Sequence, residues 1–235
     1  MSKENNTYYV VISGDIIAST SLNSPYKEAM EGHLQTLLQD LKRHFRVYGR
    51  IIKGDYLECV VPNPKEGLRV ALAIKSFVKS IPVQIEENAQ DSNRAKLFKI
   101  HGIRLAIGYG TLSRFKPEEG IIDGEAIYFS GREINNIAPT YNKERIVIKN
   151  TLFFASNKED YNQRFLPLLS LLDVLLSKAT SRQSEVLYHK LFYKEEETIA
   201  TLLGIGQSAV NQHSTSVGWN AIEESVLYFS NVVSK

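Results

Sequence analysis

A short hairpin pattern, Ile51–Val61 (IIKGDYLECVV), constrains the fold of this chain more than any other stretch. Two apolar runs flank a Gly-Asp pair, which predicts two antiparallel strands joined by a tight turn. Gly54 supplies the positive φ that such a turn needs. Asp55 then stands at the start of the second strand with its side chain exposed. A similar pair, Gly14-Asp15, follows the strand predicted over Thr7–Ser13.

The pattern of apolar side chains predicts the order strand, helix, strand, strand, helix, strand over the first part of the chain. Helical spacing indicates helices over Tyr26–Tyr48 and Lys65–Ser80, and alternation indicates a fourth strand over Lys99–Gly110. This βαββαβ order is that of the ferredoxin-like unit and gives the fold class α+β. The first and third strands of that unit are antiparallel neighbours. We therefore expect Asp15 and Asp55 to lie close together at one end of the sheet.

Two carboxylates at neighbouring strand ends are typical of a site for Mg²⁺ or Mn²⁺. Asp15 and Asp55 are the candidate metal ligands. The alternative is that both are ordinary turn aspartates, because Asp is common in turns for local reasons.

A helix is predicted downstream of Asp123-Gly124, where Tyr128 and Arg132 are four residues apart and so share a face. Arg132 is a candidate to neutralise phosphate charge, and the alternative is a solvated surface arginine. A strand over Ile146–Ile148 is predicted to close this part of the chain. The pattern then changes, which predicts domains at 1–155 and 156–235.

The second domain is predicted to be all helical. Helices over Glu195–Leu203 and Gln207–Val217, joined by a turn at Gly204–Gly206, have the spacing of a helix-turn-helix motif. The side chains available to contact base edges of double-stranded DNA are Gln207, Ser208, Asn211 and Gln212. The predicted core of this domain is Leu187, Leu191, Ile199, Leu202, Leu203, Ile205, Val210, Val217, Trp219 and Ile222.

The charge of the tail limits where phosphate contacts to DNA can come from. Residues 180–235 carry four basic and six acidic side chains, and the predicted recognition helix has no Lys or Arg. Phosphate contacts, which dominate affinity for DNA, must then come from elsewhere. A basic run in the first half is one source, although a solvated helix end is the simpler interpretation. Its members are Lys42, Arg43, His44, Arg46, Arg50 and Lys53.

The composition is that of a globular protein, with 43% hydrophobic residues and a net charge of +2. A net charge this small does not by itself predict electrostatic binding to nucleic acid or to a membrane surface. One cysteine, Cys59, excludes an intrachain disulfide. The first residues lack an apolar core of a secretory signal, and no apolar run is long enough to span a bilayer. We therefore expect a cytoplasmic protein.

Several segments together resemble the class III nucleotide cyclases. ISGDIIAST and IIKGDYLECVV resemble their two metal-aspartate segments, RLAIGYG their next strand, and DGEAIYFSGREINN the helix that carries a transition-state Asn and Arg. The resemblance implies that Arg132 stabilises phosphate and that the homodimer builds composite sites. Tyr128 stands where the asparagine would be, and Ile51 about where a purine-recognising lysine would be. Nucleotide contacts are expected at Gly14, Ile16, Lys53 and Arg132.

Over residues 8–228 the chain also resembles the SatD family, in the Gly-Asp segments, DGEAIYFSGRE and the tail segments TSRQSEVL, IATLLGIGQSAVNQH and GWNAI. This resemblance supports the domain layout. The expected function is a nucleotide- and metal-responsive regulator, in which a cyclase-like domain is coupled to a DNA-binding helix-turn-helix domain. The alternatives are an active nucleotidyl cyclase (a phosphorus-oxygen lyase acting on a nucleoside triphosphate) and a catalytically degenerate scaffold for protein assembly.

Overall fold

A sheet that is antiparallel except for one strand forms the centre of the N-terminal half. The computed structural model describes residues 7–17, 24–52, 54–82, 96–136, 141–142, 145–146 and 150–234. The strands are β1 (Tyr8–Ile16), β2 (Tyr48–Ile52), β3 (Tyr56–Val61), β4 (Ile103–Lys116), β5 (Ile121–Gly124), β6 (Tyr141–Asn142), β7 (Arg145–Ile146) and β8 (Leu152–Ser156). The sheet order is β2-β3-β1-β4-β5, with β8 also paired to β4 and with β6 and β7 forming a separate ribbon.

The helices follow the predicted order and continue into the tail. They are α1 (Ser24–Phe45), α2 (Gly67–Ser80), a short α3 within residues 96–101, α4 (Glu125–Asn136), α5 (Glu159–Lys178), α6 (Ser181–Leu191), α7 (Glu196–Leu203), α8 (Gln207–Ser216) and α9 (Trp219–Val233). No helix in the described ranges combines the length and apolarity needed to cross a bilayer. The βαββαβ order and the strand order β4-β1-β3-β2 agree with the ferredoxin-like prediction.

The two faces of the sheet are covered by different helices. Val10, Ile12 and Ile16 of β1 belong to the main core, which also contains the inner faces of α1 and α2. Val11 faces the other way and packs with Ala126 of α4. This division follows from the period of two in a strand, which sends alternate side chains to opposite faces.

Several boundaries differ from those predicted. Helix α1 ends at Phe45, because Arg46 adopts a left-handed φ of 56° and β2 begins at Tyr48. Pro64–Glu66 forms a short 3-10 turn before α2, and β4 begins only at Ile103. Helix α5 begins at Glu159 and contains Pro167.

The strand that completes the sheet is also not the predicted one. Residues 147–149 lie outside the described part of the chain, and Arg145–Ile146 pairs only with β6. The sheet is instead completed by β8, which runs parallel to β4 within the stretch that was predicted to be a domain boundary. Helices α4 and α5 both pack on β8. A strand covered on both faces lacks the alternation that sequence patterns depend on.

Two buried lysines connect α2 to its surroundings. The Lys75 ammonium donates to Thr151 Oγ1 at 2.6 Å and lies 3.3 Å from Asp173 Oδ1. Lys79 donates to the carbonyl oxygens of Ile100, Leu176 and Ser177, which lie near the ends of α3 and α5. Unsatisfied carbonyls at helix ends are natural partners for a cation.

The tail helices share the main core with the sheet layer. Leu187 and Leu191 of α6 and Phe229 of α9 belong to the same hydrophobic cluster as α1 and α2. A smaller cluster joins α6, α7 and α8 through Val186, Ile199, Ala200 and Val210. Leu202 was predicted in the core but is 55% exposed on α7.

Candidate functional site

The sequence-predicted aspartates lie at one end of the central sheet. Asp15 of β1 is paired with Tyr56 of β3 on one side and with Arg104 of β4 on the other. The Ile16 amide donates to the carbonyl oxygen of Asp55 at 3.1 Å, so the two Gly-Asp corners meet at the backbone. We call Asp15, Asp55 and Arg104 the carboxylate corner.

An ion pair with Arg104 dominates the surroundings of Asp15. Arg104 Nη2 lies 2.8 Å from Asp15 Oδ2, and the Arg104 side chain is mostly buried. Burial raises the pKa of Asp15; the Arg104 charge lowers it in part, and the negative charge of Asp55 raises it again. The two carboxylates therefore influence each other electrostatically, and Arg104 compensates part of their repulsion.

Hydroxyl groups beside the corner connect the sheet to α4. Ser13 Oγ donates to Ser130 Oγ at 2.9 Å, and both side chains are buried. The Tyr56 hydroxyl also hydrogen-bonds with the Ser13 side chain, and burial raises the pKa of this phenol. Between β2 and β3, Arg50 Nε donates to Glu58 Oε1 at 2.7 Å. These contacts fix Tyr56 and α4 at the corner without any added ligand.

Sequence reasoning did not identify Arg104 as a site residue. The signal was present, because an arginine inside the apolar strand segment RLAIGYG needs a buried or half-buried partner. The partner, Asp15, lies 89 positions away in the chain, so only the strand pairing reveals it.

The corner supplies two carboxylates rather than a closed metal cage. Among the described residues, no three side chains of His, Cys, Asp or Glu form a group that could hold a metal ion. Mg²⁺ commonly uses one or two carboxylates and completes its shell with water and substrate phosphates. The donor chemistry of Asp15 and Asp55 fits that kind of ion, with Arg104 already bound to one oxygen of Asp15.

The structure gives little room for the predicted nucleotide contacts near Asp15. Gly14 lies inside β1, where an added Cβ would meet Leu105 at 2.8 Å. Ile16 is buried, and its amide already donates to Asp55. The next amide, that of Ile17, donates to the Gly102 carbonyl oxygen at 3.0 Å, so neither amide is open to a phosphate. Lys53 lies outside the described residues.

Tyr128 and Arg132 are not brought to the two aspartates within one chain. Ala126, Ser130 and Ile134 form the buried face of α4, whereas Tyr128 and Arg132 are exposed on the opposite face. The helix body therefore separates both side chains from the sheet. A role for Arg132 at Asp15 would require a second chain.

The segment predicted to be a recognition helix is α8. Gly204 ends α7 with a left-handed φ of 62°, and α8 begins at Gln207. Gln207, Ser208, Asn211 and Gln212 are all exposed. Within the described ranges, none of these four side chains hydrogen-bonds to another group. Their donors and acceptors are available to a partner, and the binding of DNA remains a prediction.

The basic end of α1 lies next to the tail. The last turn of α1 contains Lys42, Arg43 and His44, and all three are exposed. The His44 ring lies 5.0 Å from that of Phe192, the residue that follows α6. Tyr188 of α6 donates to Asp40 of α1 at 2.8 Å. The fold therefore places basic side chains beside a tail that carries few of its own.

Solved structures of a bacterial light-regulated adenylyl cyclase show a distant similarity of fold. One matches at a TM-score of 0.40 and 12% identity, over 63% of this chain and 43% of the other. A second matches at a TM-score of 0.41 and 14% identity, over 63% of this chain and 75% of the other. The chain thus spans less than half the length of the first structure. No protein-family model and no curated protein sequence matches it.

Proposed function

We propose that this protein is a ligand-responsive regulator. Its carboxylate corner binds a nucleoside triphosphate or a related nucleotide together with Mg²⁺ or Mn²⁺, and α8 binds double-stranded DNA. The observation that carries the proposal is the ion pair of Asp15 with Arg104 next to Asp55. Guanidinium groups bind phosphate and carboxylates bind Mg²⁺, so the corner contains both halves of a metal-nucleotide site.

Arg104 and Asp15 would exchange partners when the ligand binds. A phosphate competes with the Asp15 carboxylate for the guanidinium, because both are anions whose oxygens can accept two parallel N–H bonds from it. Asp15 then becomes available, with Asp55, to hold the metal ion. The bound ion would neutralise charge on the phosphates. The Tyr56 hydroxyl, held by Ser13, is a further polar group that orients the ligand at this end of the sheet.

A route from the corner to α8 passes through packed helices. Helix α2 covers the sheet on one side and packs on α6, and α6 packs on α8. A shift of the sheet layer can therefore change the position of α8 through α2 and α6. Coupling of this kind requires two arrangements of the same packed elements, which the ligand would bias.

Isothermal titration calorimetry with ATP, GTP, CTP and UTP, each with and without Mg²⁺, tests the nucleotide half. We expect binding of at least one nucleotide that needs the metal and that is abolished in Asp55→Asn and weakened in Arg104→Lys. Glu118→Gln is the matched control, since Glu118 is an exposed carboxylate away from the corner. Absence of binding by every nucleotide with either Mg²⁺ or Mn²⁺ would overturn this half.

Product analysis by mass spectrometry in the same samples addresses catalysis. The geometry within one chain does not favour a cyclase, because Tyr128 and Arg132 face away from the sheet. We expect the nucleotide to remain unchanged. A cyclic product that disappears in Asp55→Asn would make the protein an enzyme instead.

Fluorescence anisotropy with labelled genomic fragments tests the DNA half. We expect Gln207→Ala with Asn211→Ala to weaken specific binding, whereas Lys42→Ala with Arg43→Ala should weaken binding to all sequences and reduce its salt dependence. Glu224→Gln on α9 is a control for a surface change in the same segment, since Glu224 is exposed. Lack of binding at low salt, with and without nucleotide, would contradict the regulatory proposal.

A further inference from the structure

Helix α5 has apolar side chains on its outer face as well as its inner face. Phe165, Leu169, Leu172 and Leu176 are buried against the core. On the outer face, Leu166 is 65% exposed, Leu171 is 68% exposed and Val174 is 53% exposed. The exposed Pro167 lies between them. We call Leu166, Pro167, Leu171 and Val174 the α5 stripe. A helix that is apolar on both sides normally has a second partner.

The neighbouring helix also has exposed apolar side chains. Helix α9 packs beside α5, and the Tyr228 ring lies 6.3 Å from that of Phe165. Leu227 and Tyr228 are 47% and 42% exposed. Stable interfaces bury about 800 Å² on each partner, more than one short stripe provides. The α9 side chains supply the adjoining apolar area.

Charge is distributed unequally along α5. Its first turn carries Glu159 and Asp160, and its last turn carries Lys178. Lys178 is exposed, as are both acids. Arg164 lies 3.8 Å from Asp160 and offsets part of the acidic end. The middle of the outer face, from Leu166 to Val174, has no charged side chain. An apolar centre between an acidic and a basic end is complementary to itself when the second copy runs in the opposite direction.

We propose that the α5 stripe is the interface of a homodimer in which α5 packs antiparallel to α5 of a second copy about a twofold axis. Such an interface is isologous, so each stripe contacts the same stripe on the partner. Leu166 of one chain lies near Val174 of the other, and the acidic first turn faces the partner's basic last turn. A parallel pairing would place like charges and like helix ends together, which is unfavourable.

A second protein copy fits this surface better than a lipid bilayer. Helices that lie on membranes typically have Lys and Arg along their polar face. The outer face of α5 has Arg164 and Lys178 but also Glu159 and Asp160, and so it has no basic excess. The proposal is independent of any nucleotide or DNA binding.

Sedimentation-velocity and light-scattering measurements of the full chain test the interface. We expect the wild-type protein at micromolar concentrations to have twice the chain mass of 26.6 kDa. Leu171→Glu should convert it to a monomer, because a carboxylate in an apolar interface would be buried without a partner. Leu202→Glu on α7 is the matched control, since Leu202 is equally apolar and 55% exposed but lies outside the stripe. Circular dichroism verifies that both variants are folded.

A charge exchange tests the antiparallel direction separately. Lys178→Glu and Asp160→Lys should each raise the dimer dissociation constant about 10-fold, and the double variant should recover most of the loss. A monomeric wild-type protein, or a dimer that survives Leu171→Glu, would overturn the interface. A dimer that is lost in Leu171→Glu but shows no recovery in the double charge variant would overturn the antiparallel arrangement.

Discussion

At the scale of single residues, the least expected group is the ammonium of Lys75. This side chain is 1% exposed, and burial lowers its pKa while the Asp173 charge acts in the opposite direction. Thr151 accepts from Lys75 and donates to Asp173 at 2.6 Å, so it completes the network. A charge this deep is tolerated only with such partners.

Removal of one member of the buried pair should therefore be costly. We expect Lys75→Met to lower the free energy of unfolding by about 3–5 kcal/mol, because Asp173 is left buried and unpaired. The double variant Lys75→Met with Asp173→Leu should recover a large part of that loss. Urea denaturation monitored by circular dichroism measures both. Equal stability of wild type and Lys75→Met would show that the pair contributes nothing.

His101, beside the same network, gives a pH dependence. Burial and the positive charge of Lys75 lower the pKa of His101 to about 4. In the unfolded chain the same imidazole has a pKa near 6.5 and so takes up a proton more readily than in the folded chain. The contribution of neutral His101 to the stability of the fold is therefore complete above pH 6.5 and is lost as the pH falls toward 4. We expect the stability difference between wild type and His101→Asn to shrink from pH 7 to pH 5. A difference that is constant across that range would contradict this assignment.

At the scale of elements, glycine turns and amphipathic helices could be predicted, because their signals are local. Gly54, with a φ of 82°, turns between β2 and β3, and Gly204 turns between α7 and α8, as the patterns predicted. Strand β8 could not be predicted, because burial on both sides removes the periodic pattern. The partnership of Arg104 with Asp15 depends on strand register, which no local pattern contains.

The turn between α7 and α8 permits a direct test of backbone conformation. Gly204→Ala should destabilise the protein by about 1–2 kcal/mol, since Ala at its φ of 62° is strained. Gly32→Ala in α1 should instead stabilise it by about 0.5–1 kcal/mol, because that helical position is open around the missing Cβ. Thermal and urea unfolding of the two variants provide the comparison. A loss of stability in both variants would show that the left-handed turn is not the cause.

At the scale of the whole molecule, the sequence pattern did not predict how the tail packs on the sheet layer. Arg69 of α2 lies 4.0 Å from the Tyr193 ring, and α6 packs along α2. A boundary was predicted between 155 and 156 because the residue pattern changes near there. That pattern does not indicate which apolar faces meet. The apolar face of α6 serves the core of the sheet layer as well as that of the tail.

This shared core predicts a single unfolding transition for the chain. Leu72 of α2 is buried in the cluster that also contains Leu187 and Phe229 of the tail. Leu72→Ala should cost about 2–5 kcal/mol. Because the tail depends on the same cluster, we expect the fluorescence of Trp219, which is the only tryptophan in the chain, to shift its unfolding midpoint as much as far-UV circular dichroism does.

Leu202→Ala is the control for that experiment, since Leu202 is 55% exposed on α7 and lies outside the proposed dimer surface, so its truncation should leave both midpoints nearly unchanged. Two independently folding domains would behave differently. In that case Leu72→Ala would lower the midpoint of only the sheet layer, and Trp219 would report the wild-type midpoint. The measurement therefore distinguishes a tail that folds cooperatively with the sheet layer from one that folds independently and is joined to it by a linker. Only a tail of the first kind can transmit ligand binding at the carboxylate corner to α8 through packed helices.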